Sequence, residues 1–279
     1  ASTSVLTEEA LLAAVAAARA AAIAAAARRA HKQPALPAVA WQNRTYASAA
    51  RQPLSDKSLE GKIELVLQTD ALIKDGGARI TSSSVRYSEI IDEKLIVTSD
   101  GARVRIVETK PELRVSAVAA MEGELQSCTE AEGKTGGFGD LFAKRSAAEM
   151  AEKAVRTATD LLRAGYVEGG KRKVILAPDV VGLLVHEAIG HTVEADFVLA
   201  GSAAAGKIGQ RVASELVTLC DSGASEYEAG AGGVVLVDDE GVPARKVEII
   251  KDGVLRSYLH NRETAERFGV EPTGNARAF

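Results

Sequence analysis

A chain of 279 residues is long enough to bury a substantial core, either as one large domain or as two smaller ones. Hydrophobic residues make up 46% of the chain but aromatic residues only 4%, so the core is built largely from Val, Leu, Ile and Ala. The net charge of −4 gives no overall attraction to nucleic acid or to an acidic membrane surface. These values argue against a nucleic-acid-binding protein.

The cysteine content and the N-terminal residues predict a cytoplasmic protein. Cys128 and Cys220 are too few for a disulfide framework and are typical of a reducing compartment. The alanine-rich start differs from a signal peptide, because Glu8 and Glu9 stand where a signal peptide is basic. Arginines such as Arg19 keep the apolar runs shorter than a membrane span, so we expect no membrane-spanning segment.

Three helices are predicted from propensity and apolar spacing. Residues 8–31 form the first, because alanine has the highest helix propensity and Thr7 can cap an acidic first turn. Its weak amphipathicity predicts that it packs on another element. An irregular, proline-containing linker is expected from there through residue 56. The apolar period then predicts helices over residues 57–74 and 146–164.

Strand patterns dominate residues 78–121, where Ser99, Asp100 and Gly101 supply a turn and Pro111 is expected to end the hairpin. An antiparallel meander is predicted here. A second hairpin is predicted over residues 247–258, with its turn at Asp252 and Gly253. The remaining predicted strands are residues 80–87, 93–98, 104–108, 114–120, 212–220 and 234–238.

A glycine-rich segment, residues 133–137, contains the G-K-T that closes a phosphate-binding P-loop. That motif requires a glycine at the position that Cys128 occupies, and no strong strand leads into it. We therefore interpret the segment as a flexible loop.

His186, Glu187 and His191 form the most informative motif, H-E-x-x-x-H, in a chain with four histidines. Neutral imidazole is a good zinc ligand, and a carboxylate beside the metal can take a proton from water. Five residues of regular helix turn through roughly 500°, which leaves the two rings about 140° apart. The motif can bind one metal only if the helix contains a wide, π-type turn or ends early, and Gly190 suits both distortions.

The residues before the motif predict how it is held. Residues 173–177 have the pattern of a short buried strand, Pro178 ends it, and Asp179 is placed to cap a helix that starts at Val180. In the alternative interpretation, the motif binds no metal. His186 would then be a hydrogen-bonded histidine of a buried helix, with the other two side chains on its solvent side.

Three segments in the same order resemble the TldD branch of the TldD/PmbA zinc metallopeptidases, also called modulators of DNA gyrase. They are residues 186–197, 237–243 and 272–275. The resemblance extends over residues 57–279.

This resemblance implies a zinc-dependent peptidase that hydrolyses unfolded or short peptides. It would work beside a TldE/PmbA-like partner subunit that lacks the metal motif, or as a homo-oligomer. Carried over by residue, His186 and His191 would bind Zn²⁺ and Glu187 would be the general base. Glu194 and Asp196 would orient the histidines or, alternatively, stabilise the loop that follows.

The resemblance also implies a third zinc ligand, a cysteine in a region beyond Phe279. Cys220 does not occupy that position, and its strand context favours a buried structural thiol. With two ligands and a base, the site is expected to be incomplete, since catalytic zinc sites use three protein ligands and a water. We therefore expect this chain to be part of a longer family fold.

The predicted fold class is α+β, with antiparallel sheets, packed helices and a metal-site helix that follows a short buried strand. Residues 1–56 would form an alanine-rich helix and a linker, and residues 57–170 an N-terminal α+β domain. Residues 171–279 would carry the metal-motif helix and the start of a C-terminal β-rich domain. The alternative function is a non-catalytic peptide-binding or regulatory subunit of a TldD/TldE-type complex.

Overall fold

The computed structural model describes residues 1–28, 36 and 43–277 and divides into two compact units, Ala1–Leu36 and Pro37–Phe279. The first unit contains helix α1, Glu8–Ala26. Thr7 caps it as predicted, because its hydroxyl accepts the Ala10 N–H at 3.3 Å. The predicted extension over residues 29–31, and the linker over residues 32–35 and 37–42, lie outside the described residues.

Helix α1 buries none of its residues, and its packing on another element stays a prediction. It is also the one helix in the described part of the chain that is long and apolar enough to cross a membrane. This differs from the expectation that arginines rule out such a span, because Arg19 is the only charged residue of α1 after Glu9. Signal sequences and core helices of soluble proteins have the same length and apolar composition.

The second unit starts with a sheet built around one long central strand. Its elements are β1 (Asn43–Ala47), α2 (Leu59–Lys74), β2 (Ile80–Val97), β3 (Arg103–Met121) and β4 (Glu124–Gly133). Strand β2 pairs antiparallel with β3 along almost its full length. On the other edge of β3, β1 pairs in parallel with residues 103–107 and β4 pairs antiparallel with residues 112–121.

Pro111 does not end a hairpin, which corrects the sequence-based expectation; it lies inside β3, opposite Glu89. Its carbonyl oxygen accepts the Lys134 N–H at 3.1 Å, and the nitrogen of the same residue faces the same edge. On that edge β1 has already ended and β4 pairs only from Glu112 onward. The missing N–H of Pro111 therefore removes no strand pairing, and the separate predicted strands merge into β2 and β3.

Two turns connect the long strands. Gly101 adopts a φ of +97° in the predicted turn between β2 and β3. Glu122 and Gly123 have φ values of 51° and 87° in the turn that leads into β4, a strand that the sequence analysis missed. Strand β1 was also missed, since it lies in the stretch predicted to be an irregular linker.

Helices cover one face of this sheet. A short 3₁₀ turn, Leu54–Asp56, and α3, Phe138–Leu141, flank the long helices α2 and α4, Ala147–Leu161. The Ser146 hydroxyl accepts the Glu149 N–H at 3.2 Å, and the Glu149 carboxylate accepts the Ser146 N–H at 2.7 Å, which completes a capping box at the start of α4. The buried core of this layer includes Ile73, Leu113, Val115, Ala117, Ala119, Leu141, Met150, Ala151 and Ala154.

The glycine-rich segment 133–137 is packed, so the prediction of a flexible loop was wrong. Lys134 is 4% exposed and forms ion pairs with Glu228 and Glu132. The backbone N–H groups from Lys134 to Gly137 all donate to protein acceptors, in order to Pro111, Gly230, Thr109 and Asp140. With these donors occupied, the segment offers no cradle for a phosphate, in agreement with the rejection of a P-loop.

The C-terminal part of the second unit contains the H-E-x-x-x-H motif and a small antiparallel sheet. The helices are α5 (Pro178–Val185), α6 (His191–Val193), α7 (Ala195–Leu199) and α8 (Arg262–Phe268). The sheet has the order β5 (Leu219–Ser222), β6 (Lys246–Lys251) and β7 (Val254–Leu255). Residues that join the end of the motif to the sheet form a buried cluster: Val193, Ala195, Val198, Ala204, Val247, Ile249, Ile250, Leu255 and Tyr258.

Of the strands predicted in this part, the hairpin is confirmed, one strand is shorter than predicted and one does not form. The hairpin around Asp252 and Gly253 is present, with φ values of 48° and 78° that match its D-G turn. Strand β5 covers only the end of the predicted segment 212–220. Residues 234–238 form no strand; Val237 makes a single bridge to Pro243.

The predicted buried strand over residues 173–177 is irregular and exposed, and Val174 and Ile175 are open to solvent. No strand among the described residues pairs with it, and an apolar run forms a strand only where a partner supplies hydrogen bonds. Asp179 does not cap α5 either. Ala177 is the N-cap and Pro178 the first helical residue, a position where the missing N–H costs nothing.

One of the segments that carry the family resemblance, residues 237–243, is a turn organised by the buried Asp238. Its carboxylate accepts the N–H groups of Glu240 at 3.0 Å, Val242 at 2.8 Å and Ala276 at 3.0 Å. Burial raises the pKa of Asp238 to about 6, although these three hydrogen bonds lower it. This carboxylate therefore joins the turn to the residues near position 276.

We predict that Leu113→Ala destabilises the protein by about 2–5 kcal/mol, because it leaves a cavity where the side chain is fully buried. Leu125→Ala on β4 is the matched control, since that side chain is 64% exposed. Urea unfolding monitored by circular dichroism measures the free energy of unfolding of both variants. Equal effects of the two substitutions would contradict the assigned core.

We predict that Asp238→Asn destabilises the fold by about 1–3 kcal/mol, because the new amide group faces an N–H donor. The pKa of Asp238 is about 6 in the folded state and near 3.8 in an unfolded chain, so the folded state binds this proton more tightly. The stabilisation from this carboxyl is therefore complete below pH 3.8 and is lost as pH rises through about 6. The difference in unfolding free energy between wild type and variant should shrink over the same range. Exposed Asp92→Asn is the control; a pH-independent difference would contradict the assignment.

Candidate metal-binding site

The H-E-x-x-x-H motif forms a π-type turn, one of the two distortions that its spacing requires. The turn comprises His186–Gly190 and lies between α5 and α6. The His191 N–H donates to the carbonyl of His186, five residues earlier, where a regular helix would bond four residues back. This wide turn lets residues five apart approach the same side of the helix.

The structure brings the two histidine side chains together. The ring centroids of His186 and His191 are 4.8 Å apart, with an angle of 75° between the planes. Two imidazoles on one tetrahedral zinc, with Zn–N bonds of about 2.0–2.1 Å, would hold their centroids roughly 5 Å apart. The pair is therefore compatible with a shared metal ion.

Gly190 is not required by the backbone of this turn. Its φ of −49° and ψ of −61° lie in the ordinary helical region. A Cβ added there would meet only the carbonyl oxygen of Val185, at 3.6 Å, which is an ordinary contact. The distortion therefore arises from the hydrogen-bond pattern and not from the special conformations open to glycine.

Glu187 lies in the turn directly after His186, and its side chain is exposed. Within the described residues it makes no hydrogen bond or ion pair. A carboxylate in this state is free to accept a proton from water.

Glu194 and Asp196, for which two roles were open, differ in the structure. The Glu194 carboxylate lies 2.7 Å from Nδ1 of His191. Asp196 is exposed and accepts the N–H of Phe197 at 2.9 Å, with no contact to either histidine. A spacing of three residues places Glu194 on the same side of a helix as His191, which is the signal that separates it from Asp196.

Buried neighbours hold the end of the motif in place. Val193 and Ala195 are 2% and 1% exposed and pack in the cluster under the β6–β7 hairpin. The Ala195 N–H donates to the Leu259 carbonyl at 2.9 Å, and the Leu259 N–H donates to the Val193 carbonyl at 2.9 Å. Buried side chains and backbone hydrogen bonds to Leu259 thus hold the residues around His191 in place.

The described residues place no third metal ligand beside the histidine pair. Within residues 1–28, 36 and 43–277, no group of three His, Cys, Asp or Glu side chains is arranged to hold a metal. Cys220 is a half-buried free thiol on β5, opposite Glu248. The described residues therefore supply two imidazoles and a carboxylate, and they fit part of a zinc site.

His260 is a third described histidine and, unlike His186 and His191, it is buried. It is 4% exposed, and its ring contacts the rings of Tyr258 and Phe268. Burial, together with the charge of Arg245, lowers the pKa of His260. This environment favours a neutral ring within the core.

Comparisons with known proteins agree with the resemblance seen in the sequence. Residues 52–162 match the PmbA/TldA metallopeptidase central domain, and residues 169–279 match the C-terminal domain. A metalloprotease of Methanocaldococcus jannaschii is 40% identical over 225 residues, which cover 80% of this chain and 48% of that protein. The Haemophilus influenzae metalloprotease TldD homolog is 35% identical over 238 residues, covering 82% and 48%.

A zinc metalloprotease TldD homolog of Saccharolobus solfataricus is 30% identical over 223 residues, which cover 80% of this chain and 49% of that protein. The chain thus spans about half the length of the curated relatives that it matches.

Solved structures show the same fold. A candidate modulator of a DNA gyrase from Thermotoga maritima has a TM-score of 0.71 and 21% identity, covering 89% of this chain and 56% of its own. TldE from Thermococcus kodakarensis has a TM-score of 0.65 and 20% identity, covering 93% and 57%. The two domain matches, the sequence relatives and the shared α+β fold together establish that this chain belongs to the PmbA/TldD metallopeptidase family.

Proposed function

We propose that the protein carrying this chain is a zinc-dependent metallopeptidase that hydrolyses unfolded or short peptides. The observation that carries this proposal is the π turn, because it pairs the rings of His186 and His191 and also contains Glu187. Family membership and a relative named as a zinc metalloprotease support zinc as the metal.

In this proposal, His186 and His191 hold the zinc ion, and a cysteine outside residues 1–279 is the third protein ligand. Zinc, when bound, supplies Lewis acidity that polarises the scissile carbonyl and lowers the pKa of water. Glu187 accepts the proton of the attacking water and passes it to the leaving amine. Its exposure and its lack of a partner within the described residues support this role.

We further propose a cytoplasmic protein that binds no nucleic acid and that works with a TldE/PmbA-like partner subunit. Family membership supports such a complex, and the match to TldE supports a common fold for the two subunits. A homo-oligomer is the alternative assembly, and the mass of the purified assembly distinguishes the two.

We predict that Glu187→Gln keeps zinc but lowers peptide cleavage by about 10²–10⁴-fold, because glutamine has no basic carboxylate to accept the proton. His186→Ala should lose both zinc and cleavage. Zinc content by elemental analysis and cleavage of an unfolded peptide measure these effects on the full-length protein. Glu215→Gln, at an exposed glutamate outside the motif, is the control. Cleavage at the parent rate by both motif variants would refute the assignment.

A non-catalytic peptide-binding subunit is the second candidate function. Strand β2 pairs only with β3 among the described residues, which leaves its outer edge open to an extended peptide. If the protein is a peptidase, a chelator should abolish cleavage and added zinc should restore it. Peptide binding that survives chelation, with no cleavage by any preparation, would instead favour the binding subunit.

A further inference from the structure

Glu194 occupies a fixed position between two short helices. Its φ of −62° and ψ of 125° break the helix between α6 and α7, and its carbonyl accepts the Val198 N–H at 2.9 Å. On either side, Val193 and Ala195 are buried and bonded to the backbone of Leu259. The Glu194 carboxylate therefore extends from a backbone that is held on both sides by hydrogen bonds to Leu259, in the segment after β7.

The contact between Glu194 and His191 defines which ring nitrogen carries the proton. An ionised carboxylate can only accept hydrogen bonds, so at a distance of 2.7 Å the neutral ring of His191 must donate from Nδ1. The lone pair then lies on Nε2. A neutral imidazole binds a metal ion through its unprotonated nitrogen, so this contact leaves Nε2 of His191 as the ligand atom.

We propose that Glu194 is the positioning residue for His191: its carboxylate fixes the ring orientation and the Nδ1–H tautomer, so that Nε2 is presented to a divalent cation such as zinc. The metal-binding part rests on the proposed function, whereas the tautomer follows from this chain's own geometry. Support of this kind increases the basicity of a ligating histidine. Asp196 has no such role, because it bonds its own neighbour.

Support for the two histidines is unequal. Within the described residues the His186 ring makes a contact with His191 and accepts or donates no hydrogen bond. His191 has a carboxylate on Nδ1 and the ring of Phe197 at 6.5 Å. Preorganisation of the His191 ring therefore depends on Glu194.

A purely structural role for the Glu194–His191 contact predicts a different result. The two side chains are 34% and 40% exposed, and ion pairs at such positions add little to stability. Backbone bonds to Leu259 hold the helix break without the carboxylate. Substitutions at Glu194 should thus leave the fold intact, which a thermal melt checks, and any change at His191 can be assigned to the lost contact.

The first experiment reads the tautomer directly in the full-length protein, metal-free, at alkaline pH and with ¹⁵N-labelled histidine rings. We expect the nitrogen chemical shifts of His191 to show a protonated Nδ1 and an unprotonated Nε2. Glu194→Gln should keep this tautomer, because the glutamine carbonyl oxygen also accepts a hydrogen bond, and Glu194→Ala should give a mixture. Asp196→Ala, the matched control, should match the parent. An unchanged tautomer in Glu194→Ala would overturn the proposal.

The second experiment measures zinc affinity by competition with a chromophoric chelator. Glu194→Ala should bind zinc about 10–100-fold more weakly than the parent, and Glu194→Gln should lie between them because it keeps the hydrogen bond without the charge. Asp196→Ala should bind like the parent. Affinity of Glu194→Ala within twofold of the parent would contradict the metal-binding part. A parent that binds no zinc would refute the proposed function, while the ring spectra would still decide the role of Glu194.

Discussion

The hydrogen bond from the His191 N–H to the His186 carbonyl is the interaction on which the site depends. It closes a ring one residue wider than that of a regular helix, and so it brings together two side chains that regular geometry would separate. The backbone bonds between Leu259 and the residues beside Glu194 then hold the end of this turn against the segment that follows β7. Local distortion and long-range anchoring are both needed, because a turn without an anchor would leave the rings free to move apart.

Features that depend on neighbouring residues could be predicted from the sequence. The cap at Thr7 follows from a hydroxyl side chain that precedes a run of good helix formers. The turn at Asp252 and Gly253 follows from a dipeptide that tolerates positive φ. The π-type turn could be predicted as one of two options because the spacing of the histidines excludes a regular helix.

Features that depend on distant residues could not be predicted in this way. In its local sequence, Pro111 predicts the end of a strand. It fits inside β3 only because it lies between the part of the edge that β1 pairs and the part that β4 pairs. The sequence around Lys134 predicts a flexible loop. The ion pair that helps to fix Lys134 could not be predicted, because its partner Glu228 lies 94 residues further along the chain. Residues 173–177 have a strand pattern but no pairing partner among the described residues.

The π turn also has a consequence for the register of the elements on its two sides. A wide turn absorbs one additional residue without rotating the helix that follows, whereas the same insertion in a regular helix would turn everything downstream by about 100°. Such a rotation would move Val193 and Ala195 away from Leu259 and expose apolar side chains that are now buried. The H-E-x-x-x-H motif can thus be regarded as an H-E-x-x-H spacing lengthened by one residue, with the insertion confined to a single turn between two fixed contacts.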